Sequence, residues 1–269
     1  MLIFSPMVLI NKAINEVTVK LVYYGAGLCG KTTNLEKIYG NPKLENKGKM
    51  ISMSTETDRT LFFDFMPMEL GTIGGQKVRV QLYTVPGQVF YDATRKLVLR
   101  GTDGVVFVAD SQPSMRDSNF DSLENLKTNL RLNRIDPAKI ALVFQYNKRD
   151  LPDVDSVEEM NAYLHPDGAP VIEAAAINGT GVTATLRAAI ARILDNLKNG
   201  VDTTLHEDDG TSVDPFAPVD VDLEPEPFDA APTDVEALLA GARDVVASLE
   251  AALEKAREQE RRLADKLRS

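Results

Sequence analysis

Residues 25–32 read GAGLCGKT, directly after VTVKLVYY (17–24) and directly before TNLEKIY (33–39). The first flank is rich in β-branched and aromatic residues and reads as a strand. The second places Leu35 and Ile38 at helical spacing and stops at Gly40-Asn41-Pro42, which reads as a helix with its breaker. A strand, a loop of pattern G-x-x-x-x-G-K-T and a helix together make a phosphate cradle. Small residues let backbone N–H groups curl around phosphate oxygens, and the helix N-terminus adds its partial positive charge. Lys31 is placed to reach the β- and γ-phosphates, and the Thr32 hydroxyl oxygen to ligate Mg²⁺. Gly25, Gly27, Leu28, Cys29, Gly30 and Thr33 supply the rest of the cradle, with Gly27 at the tight spot nearest the γ-phosphate. The pattern specifies a nucleoside triphosphate and leaves the base open.

The base is read from NKRD, Asn147–Asp150, at the polar end of the apolar run IALVFQY (140–146). A carboxylate at Asp150 accepts two hydrogen bonds from the ring and exocyclic N–H groups of guanine, a pair that adenine does not offer on that edge. Asn147 is suited to fix the loop and touch the ring, and the stem of Lys148 to lie over the flat base. Further on, EAAAINGTGV (173–182) puts Ala175 and Ala176 in a small-residue loop before a helix, where a backbone N–H can approach the guanine oxygen.

Other runs set the architecture. LFFDFMPMEL (61–70) and KVRVQLYTV (77–85) read as strands joined by a hairpin at GTIGGQ (71–76). GVVFVAD (104–110) is a short buried strand, 118–132 a helix with Leu123, Leu126 and Leu130 on one face, and SVEEMNAYL (156–164) a helix. APVIEAAA (169–176) is a short strand and 181–199 a closing helix. Strands alternating with helices predict an α/β fold: a mostly parallel sheet covered on both faces, a three-layer sandwich. Ligands of such sheets bind at the carboxyl ends of the strands, and the polar motifs fall there.

These motifs resemble the Ras superfamily of small P-loop GTPases. More narrowly they resemble the MglA group of bacterial polarity and gliding-motility GTPases. The resemblance is carried by KLVYYGAGLCGKTTNLEKIY, KGKMISMSTETDRTLFFDFMPMELG, LYTVPGQVFYDATRKLVLRGTDGVVFVADSQ and QYNKRDLP, which cover most of residues 17–152. It implies a switch that binds GTP or GDP with Mg²⁺ and hydrolyses GTP slowly unless stimulated by a small Roadblock-type, MglB-like activating protein. An exchange factor and effectors are further implied, with front–rear polarity or motility as the output and recruitment to cell poles or membrane-associated complexes. The third motif of the superfamily is D-x-x-G; here it is Thr84-Val85-Pro86-Gly87, the form associated with the MglA group. The change removes a negative charge beside the metal and shifts the burden to Thr32, waters, phosphate oxygens and a switch threonine. Gln88, after Gly87, is implied to position the attacking water. STETDRT (54–60) is the implied first switch. Thr60 is the candidate to sense γ-phosphate and Mg²⁺, ahead of Thr55 and Thr57, and Arg59 a built-in arginine finger. The rival reading is a GTP-loaded scaffold that barely turns over and works through its C-terminal part.

Charge divides the chain. Residues 201–240 hold 12 acidic side chains and no Lys or Arg, and 241–269 hold 7 basic and 6 acidic. Residues 1–200 are left with 23 basic and 22 acidic, so nothing points to nucleic-acid binding. The domains expected are a GTPase domain over 1–200, an acidic, proline-containing disordered linker over 201–232, and a helix over 233–269. In that helix Val235, Leu238, Ala242, Val245, Leu249, Ala252 and Ala256 alternate steps of three and four. This is a coiled-coil seam for self-association or for a partner's helix. One cysteine, Cys29, fits a reducing compartment. The opening MLIFSPMVLINK lacks a basic leader, and no run of apolar residues is long enough for a transmembrane helix. The expected location is cytoplasmic. His165 and His206 have no cysteine or second histidine near them, so a zinc site is not expected.

Overall fold

The computed structural model describes residues 9–11, 16–44, 46–55, 58–73, 76–88 and 91–205. Its strands are β1 (Leu9–Asn11), β2 (Glu16–Tyr24), β3 (Ile51–Thr55), β4 (Asp58–Ile73), β5 (Gln76–Thr84), β6 (Gly104–Asp110), β7 (Ala141–Asn147) and β8 (Val171–Glu173). Its helices are α1 (Lys31–Gly40), α2 (Asp92–Leu99), α3 (Arg116–Leu132), α4 (Val157–Leu164) and α5 (Val182–Lys198). They form one sheet in the order β3-β4-β5-β2-β6-β7-β8, with β1 antiparallel against the first half of β2. Strands β5, β2, β6, β7 and β8 are parallel, and β4 and β3 form an antiparallel margin. The expected three-layer α/β sandwich is what folds, because parallel strands need both faces covered.

Alternation along β2 sorts its side chains between two cores. Val17, Val19, Leu21 and Tyr23 join Leu35 and Ile38 of α1 and Leu186, Ala189, Ile190 and Ile193 of α5 on one face. Val22 and Tyr24 join Val98 and Leu99 of α2, Leu123, Leu126 and Leu130 of α3, and Met160 and Leu164 of α4 on the other. The helical spacing of the α3 leucines is thus what docks it. Each such Leu or Ile contributes roughly 1.5–3 kcal/mol by leaving water, and Leu126→Ala would cost about 2–5 kcal/mol. A capping box starts α4: the Glu159 N–H donates to Ser156 Oγ at 3.1 Å and the Ser156 N–H to Glu159 Oε2 at 2.8 Å.

Three elements carry little local signal. Strand β1 has three residues, β3 has five, and α2 has eight with no side-chain cap at Tyr91. The segment expected as the first switch is largely strand: Thr55 pairs with Asp58 in a β3–β4 hairpin, and Arg59 and Thr60 lie in β4. The side chains of Thr55, Arg59 and Thr60, all of Thr57, and everything after Leu205 lie outside the described residues. That includes the expected helix 233–269 and all but the start of the expected linker. Residues 201–205 run back along the loop before β7. The Asp136 N–H donates to the Thr203 carbonyl at 2.8 Å and the Leu205 N–H to the Arg134 carbonyl at 3.0 Å.

Candidate nucleotide site

Two clefts that share Leu28, Gly30 and Thr33 run along the carboxyl ends of β2, β5 and β7. One, of about 280 Å³, is bounded by Gly27, Lys31, Thr32, Val85, Gly87 and Gln88. The other, of about 320 Å³, is bounded by Asn147, Lys148, Asp150, Leu151, Ala176 and Ile177. The first holds the residues expected around phosphates and the second those expected around the base.

The loop between β2 and α1 is held from below. Gly30 has φ +105°, and a Cβ there would sit 2.2 Å from Asn147 Nδ2, so only glycine closes this turn. That Asn147 amide donates to the Cys29 carbonyl at 2.8 Å, and its Oδ1 accepts from the Ala176 N–H at 2.9 Å. One buried side chain therefore ties the phosphate loop to the base loop. Lys31 is 7% exposed and donates to the Gly25 and Ala26 carbonyls at 2.8 and 2.6 Å. Cys29 is buried beneath the loop. Leu28, 93% exposed with φ 60°, forms the rim between the clefts. Under the first turn of α1, Asn34 exchanges hydrogen bonds with Gln145 at 2.7 and 2.9 Å, and Gln145 donates to Thr185 Oγ1 at 2.8 Å. This satisfied buried network locks α1 to α5.

At the base end, Lys148 pairs with the buried carboxylate of Asp110 at 2.5 Å. The backbone N–H of Gln112 also donates to Asp110, at 3.1 Å. The pair fixes the lysine stem along the cleft wall. Asp150 is exposed at the rim. The N–H groups of Ala175 and Ala176 are already engaged, with the Thr180 carbonyl at 3.1 Å and with Asn147. Ala176 and, next along, Ile177 line the cleft.

The metal side differs. The threonine of the third motif does not leave the site without a carboxylate. Asp64 of β4, 3% exposed, accepts from Thr32 Oγ1 at 2.7 Å, from Thr84 Oγ1 at 2.9 Å and from Ser52 Oγ at 2.7 Å. Its own N–H donates to Thr84 Oγ1 at 2.8 Å. The Thr84 hydroxyl holds the carboxylate, and the carboxylate in turn reaches Thr32 at the end of the phosphate loop. Because the Thr32 hydroxyl donates its hydrogen bond to Asp64, the lone pairs of that oxygen remain for a cation. Hydroxyl and carboxylate oxygens are the hard donors that Mg²⁺ takes, so these residues fit it. Among the described residues no group of three or more His, Cys, Asp or Glu side chains is placed to hold a metal ion by itself.

Sequence reasoning passed over Asp64. The signal for it was a lone acid inside the apolar run LFFDFM (61–66), a residue costly to bury without a task.

With loop, base cleft and sheet in place, the class is defined: a P-loop guanine-nucleotide switch. The ADP-ribosylation factor family model matches residues 7–201, and the chain belongs to that family of small GTPases. It is 57% identical over 194 residues to the Mutual gliding-motility protein MglA of Myxococcus xanthus, a match that takes in 72% of this chain and all of that protein.

Proposed function

We propose that the chain binds GTP with Mg²⁺, hydrolyses it slowly by itself and faster with a partner, and signals polarity or motility through the shape of its switch segments. The observation that carries this reading is the continuity of the two clefts across Leu28, Gly30 and Thr33. Phosphate contacts and a guanine-reading carboxylate then belong to one ligand.

In this reading Gly25, Gly27, Leu28, Cys29, Gly30, Lys31, Thr32 and Thr33 hold the phosphates. Asn147, Lys148, Asp150, Ala175 and Ala176 hold the base. Thr32, Thr60 and, through hydrogen bonding, Asp64 would hold Mg²⁺, which would supply positive charge to offset that on the phosphate oxygens. Gln88 orients the attacking water, and Arg59 offsets charge between the β- and γ-phosphates. MglA-type relatedness supports a Roadblock-type activating partner. The charge pattern supports a domain end near 200 and a linker to 232, and the three-four spacing from Val235 to Ala256 supports a pairing helix over 233–269. No helix among the described residues is long and apolar enough to cross a membrane.

The test is GTP hydrolysis at saturating Mg²⁺ by wild type, Arg59→Ala and Gln88→Ala, with and without a Roadblock-type protein. A partner that speeds wild type but neither variant, with GTP binding intact in all three, is the expected result. A wild type that never turns over sinks the switch reading and moves attention to the scaffold alternative.

A further inference from the structure

Arginine is an unusual choice for the interior, because its guanidinium stays charged and every N–H must find an acceptor. Arg95 of α2 is 6% exposed. Its Nη1 donates to the carbonyl of Gln88 and, at 3.5 Å, to that of Pro86. Its Nε donates to Asn125 Oδ1 at 2.9 Å, and its Nη2 to Asp92 Oδ1 at 3.2 Å. The other partners are themselves held. Asp92 accepts from Asn125 Nδ2 at 2.7 Å and from Asn129 Nδ2 at 2.9 Å. Asn125 Oδ1 also accepts from the hydroxyl of Tyr24, the last residue before the phosphate loop.

Two features separate this arrangement from an ordinary structural arginine that ties α2 to α3. The carbonyls it holds belong to Pro86 and Gln88, on either side of Gly87, and not to a helix. A planar fork with several donors also fixes direction as well as distance, which an ammonium does not. Burial pushes the Asp92 carboxyl up, but the amides of Asn129 and Asn125 and the Arg95 charge outweigh it and hold the pKa low. Asp92 therefore stays anionic and keeps the fork in place. The same lattice reaches Tyr24, so the backbone of Gln88 is referenced to the base of the phosphate loop.

We propose that Arg95 is a positioning residue for GTP hydrolysis: it clamps the backbone at Pro86 and Gln88 so that the Gln88 side chain is presented to the phosphate cleft. The proposal rests on the reading of Gln88 as the residue that orients water. A misplacement of about 1 Å at such a residue costs on the order of a hundredfold in rate.

The experiment is a double-mutant cycle on the full chain with Arg95→Met, Gln88→Ala and both together. Single-turnover GTP hydrolysis and the Kd for a fluorescent GTP analogue are measured for each. The expected result is that Arg95→Met slows hydrolysis by roughly tenfold to a hundredfold, while the Kd stays within about threefold. The double variant is then no slower than Gln88→Ala alone. Arg95→Lys recovers only part of the rate. Asn125→Ala, which takes away the acceptor of Arg95 Nε and a donor to Asp92 while leaving the guanidinium in place, gives a smaller loss of the same kind and serves if Arg95→Met does not fold. The proposal is overturned if Arg95→Met hydrolyses at the wild-type rate. It is also overturned if the losses multiply in the double variant, or if Kd worsens in step with rate. If Gln88→Ala itself keeps the wild-type rate, the reading of Gln88 has failed and the proposal falls with it, a result distinct from the other three.

Discussion

Gly87→Ala adds one methyl at the point where the third motif meets the phosphate loop. A Cβ on Gly87 would lie 2.5 Å from both Cα and N of Gly27 and 2.7 Å from the Ala26 carbonyl carbon. Carbon atoms rest at about 3.5–4.0 Å, so one backbone must retreat by about 1 Å. The phosphate loop will not, since Asn147, Lys31 and strand β2 all hold it. Residues 86–88 therefore move, and Gln88 moves with them. A shift of that size costs about a hundredfold in rate, which corresponds to roughly 2.7 kcal/mol of barrier. The displaced segment carries the Pro86 and Gln88 carbonyls that Arg95 holds, so stability should fall as well, by about 1–3 kcal/mol. The assay is single-turnover hydrolysis of GTP at saturating Mg²⁺, with binding of a fluorescent GTP analogue as the control. Hydrolysis within threefold of wild type would refute the claim that Gly87 is required by this close approach.

Four further outcomes are expected. Gly27→Val adds a side chain whose Cβ meets only Gly87 backbone atoms at 3.9 Å, so the fold tolerates it while the valine branches crowd the water; GTP should stay bound and unhydrolysed even with a stimulating partner, as a filter-binding time course would record. Asp64→Asn keeps the shape and removes the charge next to Thr32, so a Mg²⁺ titration of hydrolysis should shift its midpoint upward by about 10–100-fold; an unchanged midpoint would sink the role given to Asp64. Asp150→Ala removes the acceptor for two guanine N–H groups, each worth about 1.5–3 kcal/mol to a charged partner, and should abolish the preference of GTP over ATP in competition binding. Burial raises the Asp103 pKa from 3.8 to about 7, against the pull of the Lys20 N–H and ammonium. The native state then holds that proton more tightly than the unfolded chain, so stability falls as pH rises from about 4 to 7. Urea melts of Asp103→Asn against wild type should show that slope only in wild type.

The features legible in the sequence are those whose meaning is local. The phosphate loop, the NKRD turn and the α3 leucines each declare themselves within one or two turns of chain, because the constraint is a backbone shape or a single helix face. The GTIGGQ hairpin likewise appears, as β4 and β5 pair from Phe65 and Tyr83 to Ile73 and Gln76. What escaped depends on register between distant strands. Nothing in LFFDF says that its aspartate will meet Thr84 across the sheet, and nothing in GVVFVAD says that Asp110 will pair with Lys148. Helix α2 escaped for another reason: it is short, begins at Tyr91 without a capping side chain, and its most consequential residue is an arginine that a sequence reader assigns to solvent. The expectation that the burden of Thr84 falls on Thr32, waters, phosphate oxygens and a switch threonine left out Asp64, because that reading followed the motif along the chain, whereas the sheet brings this carboxylate in from the side.

The return of residues 201–205 to the loop before β7 has a mechanical meaning. Helix α5 carries the chain from the carboxyl ends of the strands to their amino ends, and Thr204 then pairs with Ile135 there. A pull on Leu205 is therefore borne by that bridge and by the length of α5 lying against β6 and β7, loaded in shear. Tension thus enters at the pole opposite Gly25–Thr33, Gly87 and the NKRD turn, and reaches them only along α5 and its link through Thr185 and Gln145 to Asn34. A chain anchored through this end would be gripped at the pole away from its nucleotide cleft.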